Sequence, residues 1–232
     1  MLSLAILAGG LAKRLRPLTE TVPKALVPVA GEPFIAHQLR LARDRGISRV
    51  VLCVAHLGEM IRDFVDDGGR FGLEVQYSFD GGQLLGTAGA VRNALPLLGE
   101  AFLLMYGDSY LSCDYAAVEA AFLASGKQGL MTVFHNQGQW DSSNVQFRDG
   151  RILIYAKGRP NPDMRHIDYG LGALRASAFE NLAEGPCDLA QVYQGLLARG
   201  ELAAFEVSER FYEIGSFEGL AALEERLARG NP

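Results

Sequence analysis

The chain has 232 residues, enough for one large domain with a real core, and 49% of them are apolar, which fits a globular rather than a disordered protein. Its formal net charge of −5, with no basic run of five or more residues, argues against a broad nucleic-acid surface. No apolar stretch approaches a membrane span, Leu2–Ala8 reads as a strand rather than a signal peptide, and Cys53, Cys113 and Cys187 form no CxxC pair, so reduced thiols in a cytoplasmic protein are expected.

Leu4–Ala8 is the first predicted strand, and it runs into Gly9-Gly10 and a loop carrying Arg14, Arg16 and Lys24. Two glycines let backbone approach a ligand closely, and the cations bring positive charge to the same place, which are the parts of a polyphosphate site. Pro33–Arg45 places Ile35, Leu39 and Ala42 at helical spacing, with Gly46 at the C-cap. Arg49–Ala55 is nearly all apolar, as a strand buried on both faces should be. Gly58–Asp66 presents Met60, Ile61, Phe64 and Val65 on one helix face, and Leu73–Tyr77 alternates as a strand. Thr87–Leu95 reads as a helix capped by Thr87 and closed near Pro96. Ala101–Tyr106 is another buried strand and leads directly into Gly107-Asp108. Repeated β-α units of this length predict a mostly parallel, doubly wound sheet.

Strands dominate the second half. Leu130–His135 is one, and Asn144–Phe147 and Arg151–Tyr155 flank Asp149-Gly150, a strong hairpin signal. Ile167–Arg175 and Leu202–Val207 are further strands, Asp188–Arg199 is an amphipathic helix, and Ser216–Arg229 is a C-terminal helix capped by Ser216. No linker, repeat or low-complexity segment appears. One domain, 1–232, with two lobes and a cleft between them is expected.

Asp108 is the best candidate metal ligand, since open α/β sheets bind ligands at the carboxyl ends of their strands and a carboxylate there can hold Mg²⁺. A turn-capping role explains Gly-Asp-Ser equally well. Gln83–Gly89 is a glycine loop giving way to a helix, so backbone can lie flat against a base or sugar. His37, His56, His135 and His166 lack metal-ligand spacing, and Ser109 has neither a Gly-x-Ser-x-Gly context nor an evident His-Asp pair. Neither a Walker A nor a complete Gly-x-Gly-x-x-Gly is present. Trp140 is a lone aromatic on a polar loop, a candidate pocket wall.

Together the N-terminal string, Gln83–Gly89 and Phe211–Ser216 resemble the sugar-1-phosphate nucleotidyltransferases. That family's pattern runs apolar-Ala-Gly-Gly-x-Gly-Thr-Arg-Leu-x-Pro-Leu-Thr and then Pro-Lys-x-Leu-x-Pro-Val; Gly9, Gly10, Arg14, Leu15, Pro17, Leu18, Thr19, Pro23, Lys24, Leu26, Pro28 and Val29 match it. Ala12 and Lys13 stand where Gly and Thr are usual. Leu85–Gly89 is similar to the family's Leu-Gly-Thr-Ala-Gly, and Phe211–Ser216 to its aromatic-x-Asp-Ile-Gly-Thr, with Glu213 replacing Asp and Ser216 replacing Thr.

The resemblance implies a Rossmann-like α/β fold of the nucleotide-diphospho-sugar transferase type with a smaller strand-rich acceptor lobe. It implies a nucleotide-binding half at about 1–110 and a sugar-phosphate-binding half at about 111–232. Mg²⁺ would sit on Asp108 and Glu213. Ala8, Gly9, Gly10, Arg14, Lys24, Gln83, Gly86 and Thr87 would hold the NTP, with Arg14 on the leaving phosphates and Lys24 on the α-phosphate or the acceptor's. Asn144, Lys157, Asp168 and Gly170 would hold the sugar 1-phosphate, with Lys157 on its phosphate, while Ala156 stands where the family often has a sugar-binding Glu and Arg159 is a neighbouring cation. Direct in-line transfer of a nucleoside monophosphate follows, with no general base, because the attacking phosphate is already anionic. No nucleic-acid or membrane partner is expected, and the short chain suggests a stand-alone transferase. Size and Leu85–Gly89 lean to GTP with a mannose- or heptose-type 1-phosphate. Arg70–Tyr77 and Ala94–Gly99 are equally like the UTP-dependent N-acetylmuramate-1-phosphate uridylyltransferases, and a CTP-dependent phosphocholine cytidylyltransferase is a third option. Departures at Ala12, Lys13, Ala156 and Glu213 keep open a non-catalytic nucleotide sensor, and the β-α pattern alone would also permit a dinucleotide oxidoreductase, against which the missing glycine fingerprint counts.

Overall fold

The computed structural model describes residues 1–10, 13–136, 138–158, 161–183 and 185–229. Ala12, Arg159 and the side chain of Lys13 lie outside the described residues.

The chain begins with β1 (Ser3–Leu7), a two-strand ribbon of β2 (Pro28–Val29) and β3 (Glu32–Pro33), and α1 (Phe34–Asp44). Next come β4 (Arg49–Val54), α2 (Gly58–Val65), β5 (Glu74–Phe79), α3 (Gly86–Leu98), β6 (Ala101–Tyr106) and the short β7 (Ser109–Tyr110). The second half adds α4 (Tyr115–Ser125), β8 (Gly129–His135), β9 (Val145–Arg148), β10 (Arg151–Tyr155), β11 (His166–Arg175) and α5 (Leu189–Ala198). It closes with β12 (Leu202–Val207), β13 (Tyr212–Glu213) and α6 (Phe217–Ala228).

One nine-stranded sheet runs through both halves. Its first-half strands are parallel, β6-β1-β4-β5, with Leu4 beside Val50 and Leu103. β11 then pairs antiparallel with β6, β8 and β9, so the strand-rich half continues the same sheet. Alternation along the strands divides the core. Leu4 and Ile6 face a layer built on Ile35, Leu39, Ile61, Val118 and Phe122, while Ala5 faces Val91, Leu189, Val192 and Leu196. Helices α1, α2 and α4 thus cover one face and α3 and α5 the other, because strands apolar on both faces need cover on both. A smaller cluster, Val29, Phe34, Tyr110, Ile214 and Leu223, seats α6 and the β7–β13 ladder beside the main sheet.

Local chemistry explains the element ends. Asp149 and Gly150 both take positive φ, the requirement of a two-residue hairpin turn, and Arg148 pairs with Arg151 across it. The side chains of Asp114, Asp188 and Ser216 cap α4, α5 and α6. Two expectations for α3 fail. Leu85, not Thr87, is its N-cap, and the helix continues through Pro96 to Leu98; Pro96 gives up the one bond its N–H would make four residues back, and only two residues of helix follow it. Among the described residues no helix is long and apolar enough to cross a membrane.

Candidate active site

A cavity of about 520 Å³ opens at the carboxyl ends of β1, β4 and β6. Its floor is backbone. Ala8, Gly9 and Gly10 leave β1, and Gly107 leaves β6 with its N–H donating to the Leu7 carbonyl at 3.0 Å. A Cβ on Gly107 would collide with that carbonyl, so only glycine lets the two strand ends lie this close. The crevice lies at the carboxyl ends of parallel strands, where open α/β sheets bind ligands, and the polar groups at its mouth come from the loops that follow them.

The charges stand together at one end. Lys24, leaving the N-terminal loop, brings its Nζ to 2.7 Å from Asp108 Oδ2; the lysine is mostly covered and the aspartate half-open. Arg14 is 70% exposed at the rim, and its guanidinium lies 4.0 Å from Glu213 Oε2. Glu213 reaches the site through β13, which pairs with β7, so Glu213 stands opposite Ser109, the neighbour of Asp108. The Ile214 N–H donates to the Asp108 carbonyl at 2.9 Å and locks that arrangement. The Glu213 carboxylate accepts the Gly215 N–H at 2.6 Å, and Gly215 lines the cavity. Arg16 is exposed and off the cavity wall.

Among the described residues no three His, Cys, Asp or Glu side chains gather as a metal cluster. At the charged end of the cavity Asp108 and, behind Arg14 and Gly215, Glu213 are the two carboxylates that could hold a cation, with its remaining positions open to phosphate and water oxygens. That hard-oxygen, part-hydrated set suits Mg²⁺.

Opposite the charges, the wall is Leu84, Gly86, Thr87, Ala90, Cys53 and Asp80. Gly86 has φ +73°, and a side chain on it would meet the Cys187 carbonyl. Thr87 Oγ1 accepts the Leu189 N–H at 2.7 Å, so it satisfies the first turn of α5 rather than of α3. Cys187 N–H donates to the Leu85 carbonyl and Ala88 N–H to the Cys187 carbonyl, both at 2.9 Å, which ties the loop to the second half. Asp80 accepts the Leu85 N–H at 2.9 Å; burial raises its carboxyl above the usual range against that bond. Burial also pushes the Cys53 thiol up to about 12, leaving it inert. Gln83 is exposed and off the cavity wall.

Tyr106 closes the far side and joins the cavity to a second polar group. The Tyr106 and Tyr155 hydroxyls donate to Asp168 Oδ2 at 3.5 and 3.4 Å. Gly170 N–H donates to Asp168 Oδ1 at 3.1 Å, and the Asp168 N–H donates to Asn144 Oδ1 at 2.9 Å. Burial pushes the Asp168 carboxyl up to about 6, opposed by the Gly170 N–H and the positive charge of Lys157. Lys157 extends over the Tyr106 ring at 6.0 Å and lies 3.9 Å from Asp188, both charges being half in solvent.

Of the residues singled out in the sequence, Ala8, Gly9, Gly10, Arg14, Lys24, Gly86, Thr87 and Asp108 line the cavity, with Glu213 behind Arg14 and Gly215. Asn144, Lys157, Asp168 and Gly170 form the adjoining group beyond Tyr106. Asp80, Tyr106 and Tyr155 were not singled out. Asp80 before Gly81-Gly82 reads only as turn chemistry, and Tyr106 reads only as the end of an apolar strand.

The sequence pattern described as "Nucleotidyl transferase" matches residues 4–143. N-acetylmuramate alpha-1-phosphate uridylyltransferase of Neisseria meningitidis serogroup B is 42% identical over 91% of this chain and 92% of its own length. Mannose-1-phosphate guanyltransferase beta-B of Xenopus laevis is 25% identical over 90% of this chain, which spans 60% of that relative. A crystal structure from Bacillus anthracis, described as a glucose-1-phosphate thymidylyltransferase in complex with sucrose, superposes with a TM-score of 0.87 at 21% identity, covering 100% of this chain and 97% of the other.

Proposed function

Because the chain belongs to the nucleotidyl transferase family, we propose that its cavity joins an NTP to a sugar 1-phosphate, releasing pyrophosphate and forming an NDP-sugar. The observation that carries this reading is the meeting of Lys24, Asp108, Arg14 and Glu213 at the strand ends, beside a backbone floor open to a nucleotide. Residues 1–110 supply most of the donor site and 111–232 most of the acceptor site.

An oxygen of the sugar phosphate attacks the α-phosphorus, the bond to the β-phosphate oxygen breaks, and pyrophosphate leaves with the electron pair. The nucleophile is already an anion, so the protein's work is alignment and neutralisation. Mg²⁺, when bound to Asp108 and Glu213, supplies charge neutralisation for the phosphates. Lys24 serves the α-phosphate, and Arg14, exposed at the rim, serves the departing β- and γ-phosphates. Ala8, Gly9 and Gly10 receive the ribose and base against Leu84, Gly86, Thr87 and Asp80. Lys157 takes the acceptor's phosphate, while Asn144, Asp168 and Gly170 take its hydroxyls.

UTP and N-acetylmuramate 1-phosphate are the favoured pair. The supporting relative is aligned along almost the whole of both chains, whereas the guanyltransferase is matched at lower identity over part of its length. This replaces the lean to GTP drawn from Leu85–Gly89. The three buried free thiols agree with a reducing, cytoplasmic setting.

Pyrophosphate release with Mg²⁺, measured for four NTPs against N-acetylmuramate, mannose, heptose and glucose 1-phosphates, tests the reading. Release that needs UTP and N-acetylmuramate 1-phosphate together is expected. Preference for GTP with mannose or heptose 1-phosphate would overturn the substrate pair and leave the reaction class standing.

A further inference from the structure

A second groove, of about 530 Å³, lies between β13 and α6 and shares no lining residue with the catalytic cavity. Its cations are all arginines: Arg210, Arg226 and Arg229. A fourth, Arg45, donates to the Ser112 carbonyl at 2.6 Å, and Ser112 is itself part of the groove wall. Arg45 and Arg226 both stand near enough to the Tyr110 hydroxyl to offset part of the rise that burial imposes on it. Two carboxylates share the groove and are already engaged. Glu209 accepts from the Ser208 N–H and hydroxyl, and Glu225 pairs with Arg229. The lining thus carries three arginines against two glutamates, and Arg45 beside it makes four, on a chain of net charge −5.

Arg210 is held in an unusual way. Its guanidinium carbon lies 3.4 Å from the Trp140 ring centre and 4.5 Å from that of Tyr212, a clamp between two aromatic faces. Its Nε is buried and, among the described residues, has no hydrogen-bond partner; the same is true of Arg45 Nε. Burying a charged donor without an acceptor is unfavourable unless something else supplies one. Planar guanidinium forks match phosphate oxygens in pairs, which a set of lysines would not do.

We propose that this groove is a second ligand site, taking a phosphate-bearing small molecule on Arg210, Arg226 and Arg229. One strand joins it to the catalytic cavity, because successive residues point to opposite faces: Tyr212 lines the groove, and Glu213 meets Arg14 and Gly215 of the cavity wall from behind.

Trp140 is the one tryptophan of the chain, so its emission reports on this edge. The experiment titrates the intact protein with inorganic phosphate, without Mg²⁺, against sodium chloride at matched ionic strength. A saturable emission change is expected, unaltered in Lys24→Ala and about tenfold weaker in both Arg226→Gln and Arg229→Gln. Arg229 is exposed, so its variant separates loss of binding from loss of fold. A change no greater than that caused by sodium chloride overturns the proposal. So does one that disappears in Lys24→Ala and survives both arginine variants, which would place the phosphate in the catalytic cavity.

Discussion

The two ends of the active site are built on different principles. The donor end is ionic: Lys24 on Asp108 and Arg14 beside Glu213, carried by loops and by a two-residue ladder. The acceptor end is a knit of hydrogen bonds on strands, with Tyr106, Tyr155, Gly170 and Asn144 all converging on Asp168. An ionic end with partly open charges can exchange partners when a polyphosphate arrives. A strand-borne network has its partners before the ligand arrives, so it positions rather than responds. On the proposed reading, phosphate chemistry belongs to the first end and discrimination of the sugar to the second.

Replacing Asp108 should have the largest effect. Asp108→Ala is expected to lower kcat by about a thousandfold with an unchanged far-ultraviolet spectrum; an active, metal-dependent variant would remove Asp108 from the donor end. Lys24→Ala should lower kcat/KM about a hundredfold while tightening Mg²⁺ in the absence of substrate, because Asp108 loses the ammonium that competes for it. Calorimetry of Mg²⁺ binding would check this, and weaker binding would contradict it.

Asp168→Asn probes the other end. KM for the sugar phosphate should rise about tenfold with little change for the NTP, and a matching rise for both would dissolve the contrast. Asp168 also has a pH signature. Its folded carboxyl titrates at about 6 against an ordinary 3.8, so between those values the folded state holds more proton than the unfolded one. Stability from this group is present below about pH 4 and is lost as pH rises through 6. Melting curves should show that loss in the native protein and not in Asp168→Asn. Smallest of all, Gln83→Ala should leave KM for the NTP within about twofold, since an exposed side chain off the cavity wall contributes little.

Much of this site could be read from the chain. Gly9-Gly10 after an apolar run, Asp108 after another, and Asp149-Gly150 between two strands each carry local chemistry that leaves little freedom. Helix α4 was not foreseen, because Ala116, Ala117, Ala120 and Ala121 blur the contrast between its faces. Thr87 was misread as a cap because a threonine before an apolar run has that local signature, whereas its partner, the Leu189 N–H, lies far along the chain. The same distance hid the Lys24–Asp108 contact and the tyrosines on Asp168: ion pairs and networks across a fold leave no spacing to find.

The most direct test of the account is phosphorus NMR of the products formed from UTP and N-acetylmuramate 1-phosphate. In-line attack on the α-phosphorus predicts free pyrophosphate and a UDP-sugar whose sugar-linked phosphorus is the acceptor's own. Release of UDP, with the γ-phosphoryl group carried to the sugar phosphate as a sugar diphosphate or to water as orthophosphate, would instead mean attack at the γ-phosphorus, and would contradict the assignment of Lys24 and Asp108 to the bond being made.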